Sequence, residues 1–203
     1  QGGVDVAIEV FDWSTGSVFG WYTHLTDLQR NLTQARRLSR RITRQRMEQP
    51  DAPIWLIGHS GGAGIALFAV EALPDEIVMD GIILLAPALA PDYNLVPAMK
   101  RVTDAIYNFH SRRDVGFLQA GTTVFGTVDR VHTTAAGMTG FAAPDGLDPT
   151  DRGLYGRRLR QIPWSSDMAQ TGHLGGHLGW ASPSFVQAVI APIILDQPNP
   201  QPH

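Results

Sequence analysis

Cysteine is absent from this chain of 203 residues, which excludes disulfides, thiolate zinc sites and cysteine nucleophiles. Long apolar runs are absent too, because no stretch reaches the ~20 residues that a membrane-spanning helix needs. We therefore expect a soluble protein, while its compartment and oligomeric state do not follow from the sequence.

The chain also has no excess of positive charge, since 16 basic and 19 acidic side chains give a net charge of −3. That balance argues against nucleic acid as a partner and favours a small neutral or apolar molecule.

The basic side chains that are present concentrate in one predicted helix. Between residues 24 and 47, apolar residues recur at spacings of three and four, which predicts a long amphipathic helix that Pro50 ends. Arginine is a good helix former whose charged head stays in water, so we interpret its arginines as a solvated outer face. They are Arg30, Arg36, Arg37, Arg40, Arg41, Arg44 and Arg46.

Apolar runs alternate with helical patterns along the chain and predict its fold class. The runs indicate strands over residues 4–13, 52–57, 81–85, 105–109 and 159–163, and the helical patterns cover 61–73, 94–102 and 183–194. Buried runs alternating with helices predict an α/β fold, a mostly parallel sheet with helices on both faces.

Composition and periodicity also predict the domain organisation. With 43% hydrophobic and 17% charged residues, the chain is expected to form one domain over residues 1–203. Residues 115–157 show little periodicity and are expected to form an irregular insertion that could cap a site. Residues 197–203 are expected to be a flexible tail.

The most informative local pattern is GHSGG at residues 58–62, at the junction of a predicted strand and a predicted helix. Gly-x-Ser-x-Gly in this setting is typical of a nucleophile elbow, a turn so tight that small neighbours are needed for strand and helix to approach. The turn would raise the hydroxyl of Ser60 above the sheet as a nucleophile. The backbone N–H of Gly61, at the start of the helix, would stabilise a developing oxyanion.

Partners for a nucleophilic serine follow the later predicted strands. Such a serine needs a base to take its proton and a carboxylate to orient that base. Asp114 follows the fourth predicted strand, whereas Asp167, His173 and His177 follow the last. Because the carboxyl ends of parallel strands meet at one edge of a sheet, these side chains are expected near Ser60. The order serine, acid, histidine is the one associated with this elbow.

These motifs resemble those of the α/β-hydrolase superfamily, with its esterases, lipases and thioesterases. The resemblance covers residues 4–194 and rests on GHSGG as the elbow, NFHSRRD at 108–114 as the acid-bearing strand end, and GGHLGW at 175–180 as the histidine loop. It implies that Ser60 is the nucleophile, Asp114 the orienting acid and His177 the general base. His173 is the alternative base and Asp167 the alternative acid. No metal or cofactor is expected, because the glycines around the two histidines disfavour the helix on which they could share a metal.

One part of the superfamily pattern has no counterpart in the sequence. The superfamily takes a second oxyanion donor from a loop after an earlier strand, well upstream of the elbow. Here the first predicted strand begins at residue 4, so we expect that the N-terminal strands of the fold lie outside this chain. Alternatively, Gly2, Gly3 or the loop 12–20 supplies the donor.

The sequence therefore predicts a serine hydrolase that cleaves a carboxylic ester or thioester through an acyl-enzyme on Ser60. Its substrate is expected to be a small ester or acyl compound, whose identity does not follow from these residues. One alternative is a non-catalytic binding protein of the same fold, which the missing upstream loop favours. Another is an acyltransferase that uses the same triad.

Overall fold

A four-stranded parallel sheet lies at the centre of the protein. The computed structural model describes residues 7–12, 28–114 and 134–195. In this part of the chain the strand order is β1-β2-β3-β4, and each neighbouring pair is parallel. The sheet confirms the predicted α/β class and the predicted strands from residue 52 onwards, with small shifts at their ends. The strands are β1 (Trp55–His59), β2 (Gly81–Leu85), β3 (Ile106–His110) and β4 (Leu159–Pro163).

Helices alternate with these strands, as the sequence predicts. Pro50 lies just beyond the end of the first helix, and a π-helical turn over Val186–Ile190 interrupts the last predicted helix. Two 3-10 turns, Ser166–Thr171 and His177–Ala181, follow β4. The helices are α1 (Leu28–Glu48), α2 (Gly61–Glu71), α3 (Val96–Met99), α4 (Ala136–Thr139), α5 (Pro149–Arg158), α6 (Pro183–Phe185) and α7 (Ala191–Leu195). No helix in the described ranges has the length and apolar character that crossing a membrane requires.

The register of the strands shows that helices cover both faces of the sheet. Gly58 faces α2, since a Cβ built on it would lie 2.6 Å from the Cα of Ala63. Gly58 and Asn108 both pair with Leu84, so they share a face, and the next residue, Phe109, points to the other one. The ring of Phe109 contacts Trp180 and Phe185 at 5.8 Å. The C-terminal helical segment therefore lies on the face opposite to α2.

α1 packs along α2 through an apolar stripe. Ala35, Leu38 and Ile42 are its buried apolar residues, as expected when positions three and four apart share a helix face. At the end of α2, the hydroxyl of Ser39 donates to the carbonyl of Ala72 at 3.0 Å. The arginines at 36, 37, 40, 41 and 44 are exposed to solvent.

The predicted first strand, 4–13, is wrong for its described part. Residues 7–12 form no strand. Ile8 and Val10 are 87% and 85% exposed, so the apolar face that these two residues would form in a strand is not buried. Residues 4–6 and 13 lie outside the described ranges.

The expected irregular insertion, 115–157, contains helical structure in its described part. α4 and most of α5 lie there, connecting β3 to β4, and α5 packs against α3 and β4. The carboxylate of Asp148 caps α5 by accepting from the N–H groups of Thr150 and Asp151, so the helix begins in spite of its glycines. Residues 115–133 of the expected insertion and the expected tail, 197–203, lie outside the described ranges.

Candidate active site

Ser60 lies on the tight turn between β1 and α2. Its φ of 55° and ψ of −122° are values that a residue with a side chain seldom adopts. The N–H of Ser60 donates to the carbonyl of Leu85 at 2.9 Å, and its own carbonyl accepts from Ala88 at 3.2 Å. A strained backbone persists where its surroundings determine it in this way. The strand, turn and helix that the elbow pattern requires are present around Ser60.

Gly58 shows why this turn needs a glycine two residues before the serine. A Cβ at this position would lie 2.6 Å from the Cα of Ala63 and 2.7 Å from the carbonyl oxygen of Gly62. Both are backbone atoms at the start of α2, which cannot turn aside as a flexible side chain would. The missing side chain therefore lets β1 and α2 approach closely enough to form the turn.

His177 and Asp114 form a buried pair at the same edge of the sheet. The Nδ1–H of His177 donates to Oδ2 of Asp114 at 2.6 Å, and the two side chains are 3% and 1% exposed. Asp114 lies in the turn after β3, where its N–H donates to the carbonyl of Ser111. Because Asp114 holds the proton on Nδ1, the neutral ring presents Nε2 as its proton acceptor.

His59 connects this pair to the elbow. It is the last residue of β1 and precedes Ser60 directly. Its Nε2–H donates to the backbone carbonyl of His177 at 3.0 Å, and the two rings lie 4.6 Å apart. Burial lowers the pKa of His59 to about 4, and the neighbouring His177 contributes to this shift. The ring of His59 is therefore neutral near pH 7. His59 therefore joins the Ser60 region to His177.

The alternative site residues occupy different surroundings. His173 is fully buried, its Nδ1 accepts from the N–H of Gly175 at 3.1 Å, and its ring packs on Trp180 at 4.0 Å. Burial lowers the pKa of His173. Asp167 is exposed in the first 3-10 turn after β4. The geometry therefore brings Asp114 together with His177 and leaves His173 in aromatic packing.

Gly61 is the first residue of α2 and is buried. The first N–H groups of a helix have no partner within the helix and carry its positive dipole end, which suits an anion. The expected sources of a second donor, Gly2, Gly3 and residues 13–20, lie outside the described ranges. Of that expected loop, the structure describes Asp12, which is exposed.

No group of three His, Asp or Glu side chains in the described parts of the chain is arranged to hold a metal ion. The two histidines of the loop use Nδ1 differently, since one accepts from Gly175 and the other donates to Asp114. This edge of the sheet presents the hydroxyl of Ser60, the imidazole of His177 and the carboxylate of Asp114.

The parallel sheet, the strained elbow and the helices on both faces define an α/β hydrolase. A family profile described as "Serine aminopeptidase, S33" matches residues 16–135, more than half of the chain. The protein therefore belongs to this family, which is one of hydrolases. The matched range includes Ser60 and Asp114, whereas His177 lies beyond it. No curated protein and no solved structure matches the sequence significantly.

Three polar side chains near the site have no functional role in the sequence prediction, which places one of them, His59, in polar packing. They are His59, Ser111 and Trp164, and they hydrogen-bond the backbone carbonyls of residues 177, 175 and 173 in turn. The position of His59 inside GHSGG is a signal that could have indicated it. Ser111 and Trp164 carry no comparable signal, because their partners depend on tertiary packing.

Proposed function

We propose that the protein is a serine hydrolase that cleaves a carboxylic ester or thioester through an acyl-enzyme on Ser60. The observation that carries the proposal is the convergence of a buried imidazole–carboxylate pair with a nucleophile elbow. His177 and Asp114 are 2.6 Å apart, and the ring of His59, next to Ser60, lies 4.6 Å from that of His177. A serine hydroxyl is activated by a general base that a third group orients, and this combination supports such a role for His177 and Asp114.

In the proposed reaction, the Oγ of Ser60 attacks the substrate carbonyl while Nε2 of His177 takes the hydroxyl proton. Asp114 keeps the ring in the required tautomer and stabilises its charged form. The N–H of Gly61 donates to the oxyanion. The leaving alcohol or thiol receives the proton from His177, and a water activated by the same ring then releases the acid from Ser60.

Peptide cleavage is a second candidate function, because the description of the family names an aminopeptidase. An aminopeptidase must bind the free ammonium group of its substrate, for which a carboxylate is the usual partner. Asp114, the buried carboxylate at this edge of the sheet, is already bonded to Nδ1 of His177. Asp114 is therefore not available to bind an ammonium group, and a substrate panel decides between an ester or thioester and a substrate with a free amino terminus.

A substrate panel tests the proposal directly. The full-length protein is assayed with p-nitrophenyl esters, an acyl thioester and an aminoacyl p-nitroanilide, in parallel with Ser60→Ala and with the exposed-serine control Ser166→Ala. We expect ester or thioester turnover in the wild type and in Ser166→Ala, and its loss in Ser60→Ala. Equal turnover by wild type and Ser60→Ala would refute the proposal, and turnover confined to the anilide would replace it with peptidase activity.

Two further outcomes identify the alternatives. A protein that binds an ester tightly and never turns it over would be a binding protein of this fold. Transfer of the acyl group to an added alcohol or amine, seen by product analysis, would indicate an acyltransferase.

A further inference from the structure

The loop that carries His177, residues 172–179, is rich in glycine. It contains Gly172, Gly175, Gly176 and Gly179, and two of these have positive φ values, 79° at Gly172 and 92° at Gly175. Glycine reaches such values readily and gains the most freedom when it is released. The position of His177 must therefore be fixed by contacts with the rest of the protein.

Three side chains supply these contacts in a regular pattern. The carbonyls of residues 173, 175 and 177 accept hydrogen bonds from Trp164 Nε1 at 2.9 Å, Ser111 Oγ at 2.7 Å and His59 Nε2 at 3.0 Å. The donors are at or just beyond the ends of β4, β3 and β1. Alternate carbonyls of this glycine-rich loop are thus each held by a different strand end of the sheet.

We propose that His59, Ser111 and Trp164 are positioning residues that hold His177 against Asp114 and beside Ser60. This inference rests on the proposed function of His177. None of the three is assigned to bond or proton transfer, and each acts on the backbone of the loop.

Ser111 contacts both segments that carry the His177–Asp114 pair. Its hydroxyl donates to the carbonyl of Gly175 and accepts from the N–H of Arg113 at 3.2 Å. Its own carbonyl accepts from the N–H of Asp114 at 3.1 Å. Ser111 therefore contacts both the turn that carries the acid and the loop that carries His177, and it sets the separation between them.

Arg113 and Trp164 add a second contact between the turn that carries Asp114 and the loop that carries His177. The guanidinium carbon of Arg113 lies 4.3 Å from the ring centre of Trp164, a cation–π contact. A Cβ added to Gly175 would meet the aliphatic part of Arg113 at 2.9 Å, so the loop runs close against this side chain. The acid turn, the residue after β4 and the histidine loop thus form one packed unit.

A matched pair of serine variants separates positioning from stability. Ser111 and Ser39 are both buried, and each donates to a backbone carbonyl of another segment, at 2.7 Å and 3.0 Å. Losing either hydrogen bond should lower the free energy of unfolding by a similar amount. Only the bond of Ser111 holds the loop of His177, and a shift of about 1 Å in a reacting group can lower the rate about 10²-fold. We expect Ser111→Ala to lower kcat about 10- to 100-fold with little change in KM, and Ser39→Ala to keep wild-type kcat at a similar Tm.

The donor of His59 is tested by conservative replacement. His59→Gln keeps an N–H donor of similar reach, whereas His59→Phe keeps a ring and loses the donor. We expect the glutamine variant to retain most of the kcat that the phenylalanine variant loses. If Ser111→Ala does not fold, this pair decides the question.

The outcomes for this inference differ from those for the proposed function. Turnover that is insensitive to Ser60→Ala refutes the function. Ser60-dependent turnover that is equal in Ser111→Ala and Ser39→Ala, or equal in both His59 variants, refutes the positioning role and leaves the function intact.

Discussion

Asp114 is a buried carboxylate, and such a group is tolerated in a protein when hydrogen bonds replace its lost hydration. His177, 63 positions further along the chain, provides a bond of 2.6 Å to it. An amide in place of the carboxylate would favour the ring tautomer with the proton on Nε2, which cannot accept a proton from Ser60. We therefore expect Asp114→Asn to fold and to lower kcat by about 10⁴-fold.

Steady-state ester hydrolysis, with circular dichroism as a test of folding, checks this expectation. Asp167→Asn is the matched comparison, because Asp167 is exposed and lies just after β4. Loss of turnover in Asp167→Asn with retention in Asp114→Asn would exchange the two assignments.

Glu71, the last residue of α2, gives a prediction on pH and stability. Burial raises the pKa of its carboxyl to about 7, even though the hydroxyl of Tyr93 donates to it and favours the charged form. The folded protein therefore binds this proton more tightly than the unfolded chain does. The resulting stability is present below the usual pKa of the group and is lost as pH rises through about 7.

We expect Glu71→Gln to remove this dependence, since glutamine stays neutral and still accepts from Tyr93. The free energy of unfolding of the variant relative to wild type should rise between pH 5 and 8, by on the order of 2 kcal/mol. Urea denaturation at several pH values measures it, with Glu48→Gln at the exposed end of α1 as the control. A constant difference across this pH range would contradict the assignment.

At the scale of elements, the junction of β1 and α2 depends on one missing side chain. Gly58→Ala would place a methyl group 2.6 Å from the backbone of Ala63, so β1 and α2 would have to move apart. Forced overpacking of this kind costs about 1–3 kcal/mol, and here it also displaces Ser60. We expect lower stability and lower turnover in Gly58→Ala, measured by denaturation and ester hydrolysis.

Gly156 in α5 provides the contrasting substitution. A Cβ added there meets nothing within 4 Å, and the residue lies inside a helix. Gly156→Ala should therefore leave turnover unchanged and stabilise the protein by about 0.5–1 kcal/mol. Equal effects of Gly58→Ala and Gly156→Ala on stability and turnover would show that the turn at Ser60 does not depend on the close approach of β1 and α2.

The sequence predicts most accurately the limits of elements that are buried at every position. β2 is a continuous apolar run, buried at every position, and its predicted and observed limits agree. α5 was missed because two glycines and three arginines hide its periodicity, although Asp148 followed by Pro149 is a recognisable helix start. The strand 4–13 is predicted from β-branched and aromatic residues in near alternation, and the prediction fails for 7–12, where every residue except the partly buried Phe11 is exposed.

At the scale of the whole molecule, the parallel sheet explains why the site could be anticipated at all. Three strands deliver Ser60, Asp114 and the histidine loop to one edge, and that convergence follows from topology. The choice between His173 and His177 does not follow from topology. It depends on the packing of His173 against Trp180 and on hydrogen bonds such as that of Ser111 to residue 175, which join positions far apart in the sequence.

The central claim, that Ser60 is a nucleophile activated by His177 and Asp114, is tested most directly by covalent labelling. The full-length protein is treated with a fluorophosphonate, and the modified residue is located by mass spectrometry in wild type, Asp114→Asn and Ser39→Ala. The account predicts a single adduct on Ser60, formed at wild-type rate in Ser39→Ala and far more slowly in Asp114→Asn. An adduct on another residue, or labelling of Ser60 at the same rate in all three proteins, would contradict it.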